Sequence, residues 1–173
     1  NDTNFTIPLS QQKRILPLNV SDNFEDPLLP KNMTAIYKNL VIMPAASAVS
    51  TSSDICKFFS VIANKGKYKD DSWLQEQAIS EITTMKADGL EHSGYYYKLG
   101  LGLMLNSGIN NKFSAPKHCQ TVGHGGLGIS SAWADLDCGM AVAYITTTYQ
   151  PEEIKDHLHR TMASVIRSSI EYE

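Results

Sequence analysis

The side chain best placed for chemistry in this sequence is a histidine set among glycines. In T-V-G-H-G-G-L-G-I-S-S, residues 121–131, His124 stands among glycines at 123, 125, 126 and 128. The β-branched Thr121, Val122 and Ile129, followed downstream by Val142, Tyr144 and Ile145, make the stretch read as strand. Glycine weakens a strand unless another backbone or a ligand has to come close. Such a strand offers an imidazole, a row of backbone N–H groups and room for an extended substrate. On this reading His124 and the N–H groups after it form one wall of an acyl-transfer site. The alternative is a bulged core strand whose histidine faces solvent, and the same residues fit it. A phosphate-binding loop is a third reading, and it fails because strand, not helix, follows the glycines.

A nucleophile is harder to find. Ser10/Lys13 and Ser114/Lys117 both match S-x-x-K, the spacing that puts a serine and its activating lysine on one helix face. Pro17 stops any helix soon after Lys13, and Pro116 lies inside the second match. Two matches are also about what chance supplies. His157 and His159, two apart on an expected helix, point to different faces and form no metal pair. His92 and His118 fall in expected loops. Cys56, Cys119 and Cys138 are odd in number and widely spaced, which indicates neither a disulfide framework nor a zinc site, and buried free thiols are the expectation. No cofactor or metal is implied.

These residues need a scaffold, and the composition allows one. The chain has 173 residues, 42% apolar and 19% charged, enough for one domain with a sizeable core. A net charge of -3 with scattered basic residues gives no footprint for nucleic acid. No apolar run reaches the ~20 residues of a membrane helix. Four N-x-S/T sequons, at Asn1, Asn4, Asn19 and Asn32, lean weakly toward a secretory route, but chance in Ser/Thr-rich chain explains them better, so the compartment stays open.

Along the chain, residues 1–34 carry Pro8, Pro17, Pro27 and Pro30 with no sustained period. They read as irregular surface chain with extended pieces at Phe5–Leu9 and Ile15–Val20. We therefore expect an irregular lead over 1–40, shaped to pack on something outside it, and a folded body over 41–173. Ile55, Phe58, Phe59 and Ile62 follow helical spacing, with Ser50 or Thr51 as N-cap, Asp54 completing the box and Gly66 as the stop. A second helix is expected from Ser72 to about Met85, capped by Ser72 and Gln75 and ended by Asp88-Gly89. Tyr95 to Leu105 alternates as one strand with Gly100 and Gly102 on its second face. The His-Gly-Gly strand, a strand through Trp133, a turn at Asp137-Cys138-Gly139 and a strand over 140–148 follow. Pro151 opens a last helix to about Ile170, with Ile154, Leu158, Met162, Val165 and Ile166 as its buried stripe. The sum is an α+β fold, an antiparallel sheet packed by helices.

Three segments in this order carry a resemblance. They are P-A-A-S-A-V-S-T-S-S-D-I-C-K-F (44–58), Y-Y-K-L-G-L-G (96–102), and G-H-G-G-L-G with A-W-A-D-L-D-C-G-M-A-V-A-Y-I-T (132–146). Over about residues 40–170 the chain resembles the serine beta-lactamase and penicillin-binding-protein-like superfamily. The similar branch holds the class C enzymes, related serine esterases and animal beta-lactamase-like proteins. The resemblance implies the C-terminal part of a beta-lactamase-like α/β sandwich domain. It also implies a parent that acts as a serine hydrolase on an ester, amide or β-lactam carbonyl of a small molecule or peptide.

In that family His124-Gly125-Gly126 stands at the third motif, with His where Lys is usual. Gly125 and Gly126 are then substrate-binding, and the backbone N–H of Leu127 completes the oxyanion hole. An imidazole is largely neutral at pH 7 where lysine is charged, which leans away from β-lactam hydrolysis and toward an esterase or peptidase-like role. Ser21-Asp22-Asn23 and Tyr37-Lys38-Asn39 imitate second motifs but have the wrong neighbours. The nucleophile is therefore expected in the remaining N-terminal part of the parent, and the chain alone is expected to be catalytically silent. A non-enzymatic binding or assembly domain on the same scaffold is the alternative. An open face where the missing part packs makes self-association an expected property.

Overall fold

The computed structural model describes the chain apart from residues 1, 2, 6, 16, 17, 21–25, 27, 39–41, 44–46, 91–95, 107–112, 114–118, 127–129 and 171–173, and for 37, 38 and 152 it describes the backbone only. A 3-10 turn, Leu9–Arg14, precedes β1 (Asn19–Val20), α1 (Leu29–Lys38) and α2 (Ser52–Ala63). Next come β2 (Lys67–Tyr68), β3 (Asp71–Ser72) and α3 (Glu76–Thr83). The sheet strands are β4 (Ala87–Leu90), β5 (Tyr96–Leu99), β6 (Met104–Leu105), β7 (Thr121–Gly126), β8 (Ser130–Asp135) and β9 (Met140–Ile145). Then β10 (Thr148–Tyr149) leads into α4 (Glu152–Ser168).

Strands β4 to β9 form one antiparallel sheet in sequence order. Helices cover both faces. On one side Phe59, Ile62 and Ala63 of α2 and Ile79 of α3 pack on Val122, Ala132 and Ala134. On the other, Ala163 of α4 packs with Trp133 and Phe113, flanked by Met104, Met140 and Val142. Because successive strand residues alternate faces, Ala132 and Ala134 serve one core and Trp133 the other. This is the expected α+β arrangement. Among the described residues, no helix is long and apolar enough to cross a membrane.

The α2 signals act as read. The Thr51 hydroxyl accepts from the Asp54 N–H at 3.1 Å, and Gly66, at φ +95°, donates its N–H to the Val61 carbonyl at 2.7 Å. Elsewhere the elements differ from expectation. The lead is not wholly irregular: α1 begins where Pro30 falls in the first turn, the one helical place proline suits. Asp26 precedes it, taking the Leu28 N–H on its carboxylate at 3.0 Å. Asn4 exchanges two backbone hydrogen bonds with Val49, and β1 pairs in parallel with β10.

Ser72 lies in a small hairpin, paired with Lys67, rather than at a helix start. Gln75 therefore caps α3 without a side-chain bond. The helix stops at Thr83, where the Thr83 and Thr84 hydroxyls bond back to the Ile79 and Ser80 carbonyls, and Asp88-Gly89 belongs to β4. The expected single strand to Leu105 is bent: Gly100 donates to the Leu103 carbonyl at 2.8 Å across a turn with Gly102 at φ +78°. The expected strand over 140–148 breaks at Thr146–Thr147 into β9 and β10.

The largest difference is in α4. Its buried residues are Asp156, His159, Ala163 and Arg167, whereas Ile154, Met162 and Val165 are 50%, 38% and 60% exposed. The polar face has fixed partners on the sheet, described below, and these turn the helix.

Candidate active site

Strand β7 runs from a buried start to an open end. Thr121, Val122 and Gly123 are buried, His124 is exposed, and Gly125 and Gly126 are half-buried. On one side β7 pairs with β8 over its whole length, His124 opposite Ala132 and Gly125 opposite Ser131. On the other side β6 pairs only with Val122 and Gly123. The chain before β6 is consumed by the Gly100–Leu103 turn, so His124, Gly125 and Gly126 have no strand neighbour there among the described residues. A short sheet edge results, with the shape an extended ligand backbone can join.

The glycines divide by task. A Cβ on Gly123 would stand 2.5 Å from the Ala132 carbonyl oxygen and 2.6 Å from the Trp133 Cβ, so this glycine serves packing. A Cβ on Gly126 would meet only the movable Ser130 hydroxyl at 2.5 Å. Among the described residues Gly125 is open, its nearest neighbour being the Ser130 carbonyl oxygen at 3.6 Å. The His124 Nδ1 lies 2.6 Å from the Gly125 carbonyl oxygen. That oxygen only accepts, so the bond requires Nδ1–H and leaves the Nε2 lone pair of a neutral ring outward.

Behind Gly125 stands a polar column that the sequence reading missed. Cross-strand register puts Gly125, Ser131 and Tyr144 on one face, and the Tyr144 hydroxyl hydrogen-bonds Nδ1 of the buried His159 on α4. Burial pushes the Tyr144 hydroxyl up to about 12 although the Ser131 hydroxyl opposes it. A second buried group anchors the start of β7. Arg167 pairs with Asp135 at 2.5 Å, donates to the Thr121 hydroxyl at 3.0 Å and to the Phe113 carbonyl at 3.1 Å, and lies over the Trp133 ring. Burial alone would raise the Asp135 carboxyl. The Arg167 hydrogen bond, the Asp137 N–H and the Arg167 charge outweigh burial and hold it below the usual range. The only sequence signal for either group was alternation along β8 and β9.

Of the expected site residues, His124, Gly125 and Gly126 lie together on the open edge, while Leu127 lies outside the described residues. So do Ser114 and Lys117, the Ser21-Asp22-Asn23 segment, His92, His118 and Tyr95. Ser10 and Lys13 are exposed on the Leu9–Arg14 turn. His157 is exposed and His159 buried, on different faces of α4. The thiols depart from the buried expectation: Cys138 is exposed, and Cys56 and Cys119 are half-buried. Among the described residues no group of three or more His, Cys, Asp or Glu is arranged to hold a metal.

Several solved structures share this fold. A novel penicillin-binding protein homolog from Caulobacter crescentus aligns with TM-score 0.74 at 21% identity, over 98% of this chain and 48% of its own. A family VIII carboxylesterase aligns with TM-score 0.66 at 19% identity, over 94% and 47%. EstA from Arthrobacter nitroguajacolicus Rue61a aligns with TM-score 0.66 at 16% identity, over 98% and 51%. The chain thus spans about half the length of each. Comparison with curated proteins finds no match. The family model described as Beta-lactamase matches residues 1–166, and the chain belongs to the beta-lactamase family.

Proposed function

We propose that this chain is the C-terminal portion of a serine hydrolase that acylates itself on an ester, amide or β-lactam carbonyl. The observation that carries the reading is the open edge of His124, Gly125 and Gly126 at the end of an otherwise buried strand. An extended substrate lies along that edge. Gly125 admits it, and the outward Nε2 of His124 accepts a hydrogen bond or proton from it. The Leu127 N–H serves the developing oxyanion, an interaction typically worth ~3 kcal/mol of barrier. The nucleophilic serine and its lysine belong to the part of the parent outside this chain, because Ser10 sits exposed on a surface turn.

The uncovered apolar residues of α4 support that division. So does the outer edge of β9, an uncharged Met-Ala-Val-Ala-Tyr-Ile strand without a described neighbour. Both are surfaces suited to the remaining half of such a parent. An imidazole in place of a lysine ammonium favours an ester or peptide over a β-lactam.

Intact-mass spectrometry after treatment with a serine-directed fluorophosphonate tests the reading on this chain and on its full-length parent. One adduct on the parent, on a serine upstream, and none on the chain is the expected result. A stoichiometric adduct on the chain overturns the placement of the nucleophile. An adduct on neither overturns the hydrolase reading in favour of a binding domain.

A further inference from the structure

Two of the three cysteines lie at the end of β7 remote from Gly126. The β7–β8 ladder pairs Thr121 with Asp135 and continues one step further, the Leu136 N–H donating to the Gln120 carbonyl at 3.0 Å. The next residues along are Cys119 and Asp137, and the Gln120 N–H donates to the Asp137 carboxylate at 2.8 Å. There the chain turns over 136–139. The N–H groups of Asp137 and Cys138 donate to the same Asp135 oxygen at 3.0 and 3.4 Å, which curls Cys138 back toward the Asp135 side chain. Cys119 lies at a bend just before β7, its carbonyl taking the Thr121 N–H at 3.1 Å, and so adjoins Gln120 at the mouth of the same turn. Both cysteines thus flank one turn, and the Asp135 charge bears on both thiols. Cys56 is elsewhere, on α2, donating to the Ala141 carbonyl at 3.4 Å.

We propose that Cys119 and Cys138 are a redox pair that closes to a disulfide by exchange with a small-molecule disulfide, clipping the entry of β7 to the β8–β9 turn. One thiolate attacks a sulfur of oxidised glutathione, forming a mixed disulfide and expelling one glutathione thiolate. The second cysteine attacks the protein sulfur of that mixed disulfide and expels the other glutathione. The protein dithiol loses two electrons, and its two protons end on the two glutathione thiols. Neighbouring charges agree with the geometry. Burial, then the Asp135, Asp137 and Cys138 charges, push the Cys119 thiol up against the pull of Arg167. Burial and Asp135 likewise raise Cys138. Exchange is accordingly slow at neutral pH, since the thiolate is the attacking form. The clip bears on Asp135, the residue that holds Arg167 and with it α4.

The reduced chain is incubated with excess oxidised glutathione, alkylated with iodoacetamide and mapped by peptide mass spectrometry. The expected product lacks two hydrogens, carries a Cys119–Cys138 cross-linked peptide, and is alkylated at Cys56 alone. Cys56→Ser retains the cross-link. Cys138→Ser, at an exposed position that folding tolerates, instead leaves glutathione on Cys119. Glutathione on Cys119 and Cys138 in one molecule, a bridge to Cys56, a bridge only between chains, or three alkylated cysteines each overturn the proposal.

Discussion

At the scale of single residues, the site rests on one exposed side chain and one buried pair. His124→Ala removes the outward Nε2 without touching packing, since the ring is exposed and, among the described residues, bonded only to its neighbour's carbonyl. In the full-length parent we expect kcat/KM to fall by about 10²-fold, the low end for a proton-transfer group, with unchanged thermal unfolding. Arg167 is different. Arg167→Met leaves the Asp135 carboxylate buried with its cation gone, which costs about 3–5 kcal/mol in urea unfolding at neutral pH. The pH dependence then changes as well. In the wild type the Asp135 carboxyl is held below its unfolded value, so its contribution is complete above the ordinary carboxylate range and is lost as pH falls through it. In Arg167→Met only the Asp137 and Cys138 N–H groups and the Thr121 hydroxyl still oppose burial, so the carboxyl titrates higher than in the wild type and the variant's deficit shrinks as pH falls. Parallel slopes for the two proteins across the acid range would refute the role given to this pair.

At the scale of elements, the glycines of β7 divide sharply and the difference is measurable. Gly123→Ala forces a Cβ against the Ala132 carbonyl and the Trp133 Cβ and costs at least the ~1–3 kcal/mol of an overpacked core. Gly125→Ala meets nothing closer than 3.6 Å among the described residues, so the chain unfolds at the wild-type urea midpoint. In the parent it obstructs the strand edge and raises KM. Equal destabilisation by the two substitutions would contradict the assignment. The same strand shows what the sequence made legible. The His-Gly-Gly strand, the Thr51 start and Gly66 stop of α2 and the hairpin at Asp137–Gly139 are local features, set by neighbours in the chain, and they read correctly. What the sequence hid is set across the fold. Ser72 joins a hairpin because Lys67 is there to pair with it. The Leu-Gly-Leu-Gly alternation disguised a turn as a strand. On α4, apolar spacing pointed to Ile154, Met162 and Val165, but Arg167 and His159 find partners on β7, β8 and β9 that no period in α4 can announce.

At the scale of the whole molecule, those misdirected apolar residues become informative. An apolar stripe on a helix costs nothing locally, yet in water it is an adhesive surface. Here it occurs on a chain whose solved relatives are about twice as long and whose sheet ends in the uncharged β9. If the rest of the parent covers α4, Val165, 60% exposed here, is a core residue there. Val165→Glu then has opposite consequences in two settings. In the isolated chain it alters stability by less than ~0.5 kcal/mol, as exposed substitutions do, and shifts sedimentation toward the monomer. In the full-length parent it buries an unpaired charge and costs several kcal/mol, enough to lower Tm and solubility. Helical content by circular dichroism is the control, because Glu and Val differ little in helix propensity. A parent that tolerates Val165→Glu as readily as the chain does would mean that this face stays open in both. The remainder of the proposed parent would then have to close the site from the β9 edge, where Ile145→Lys is the corresponding substitution.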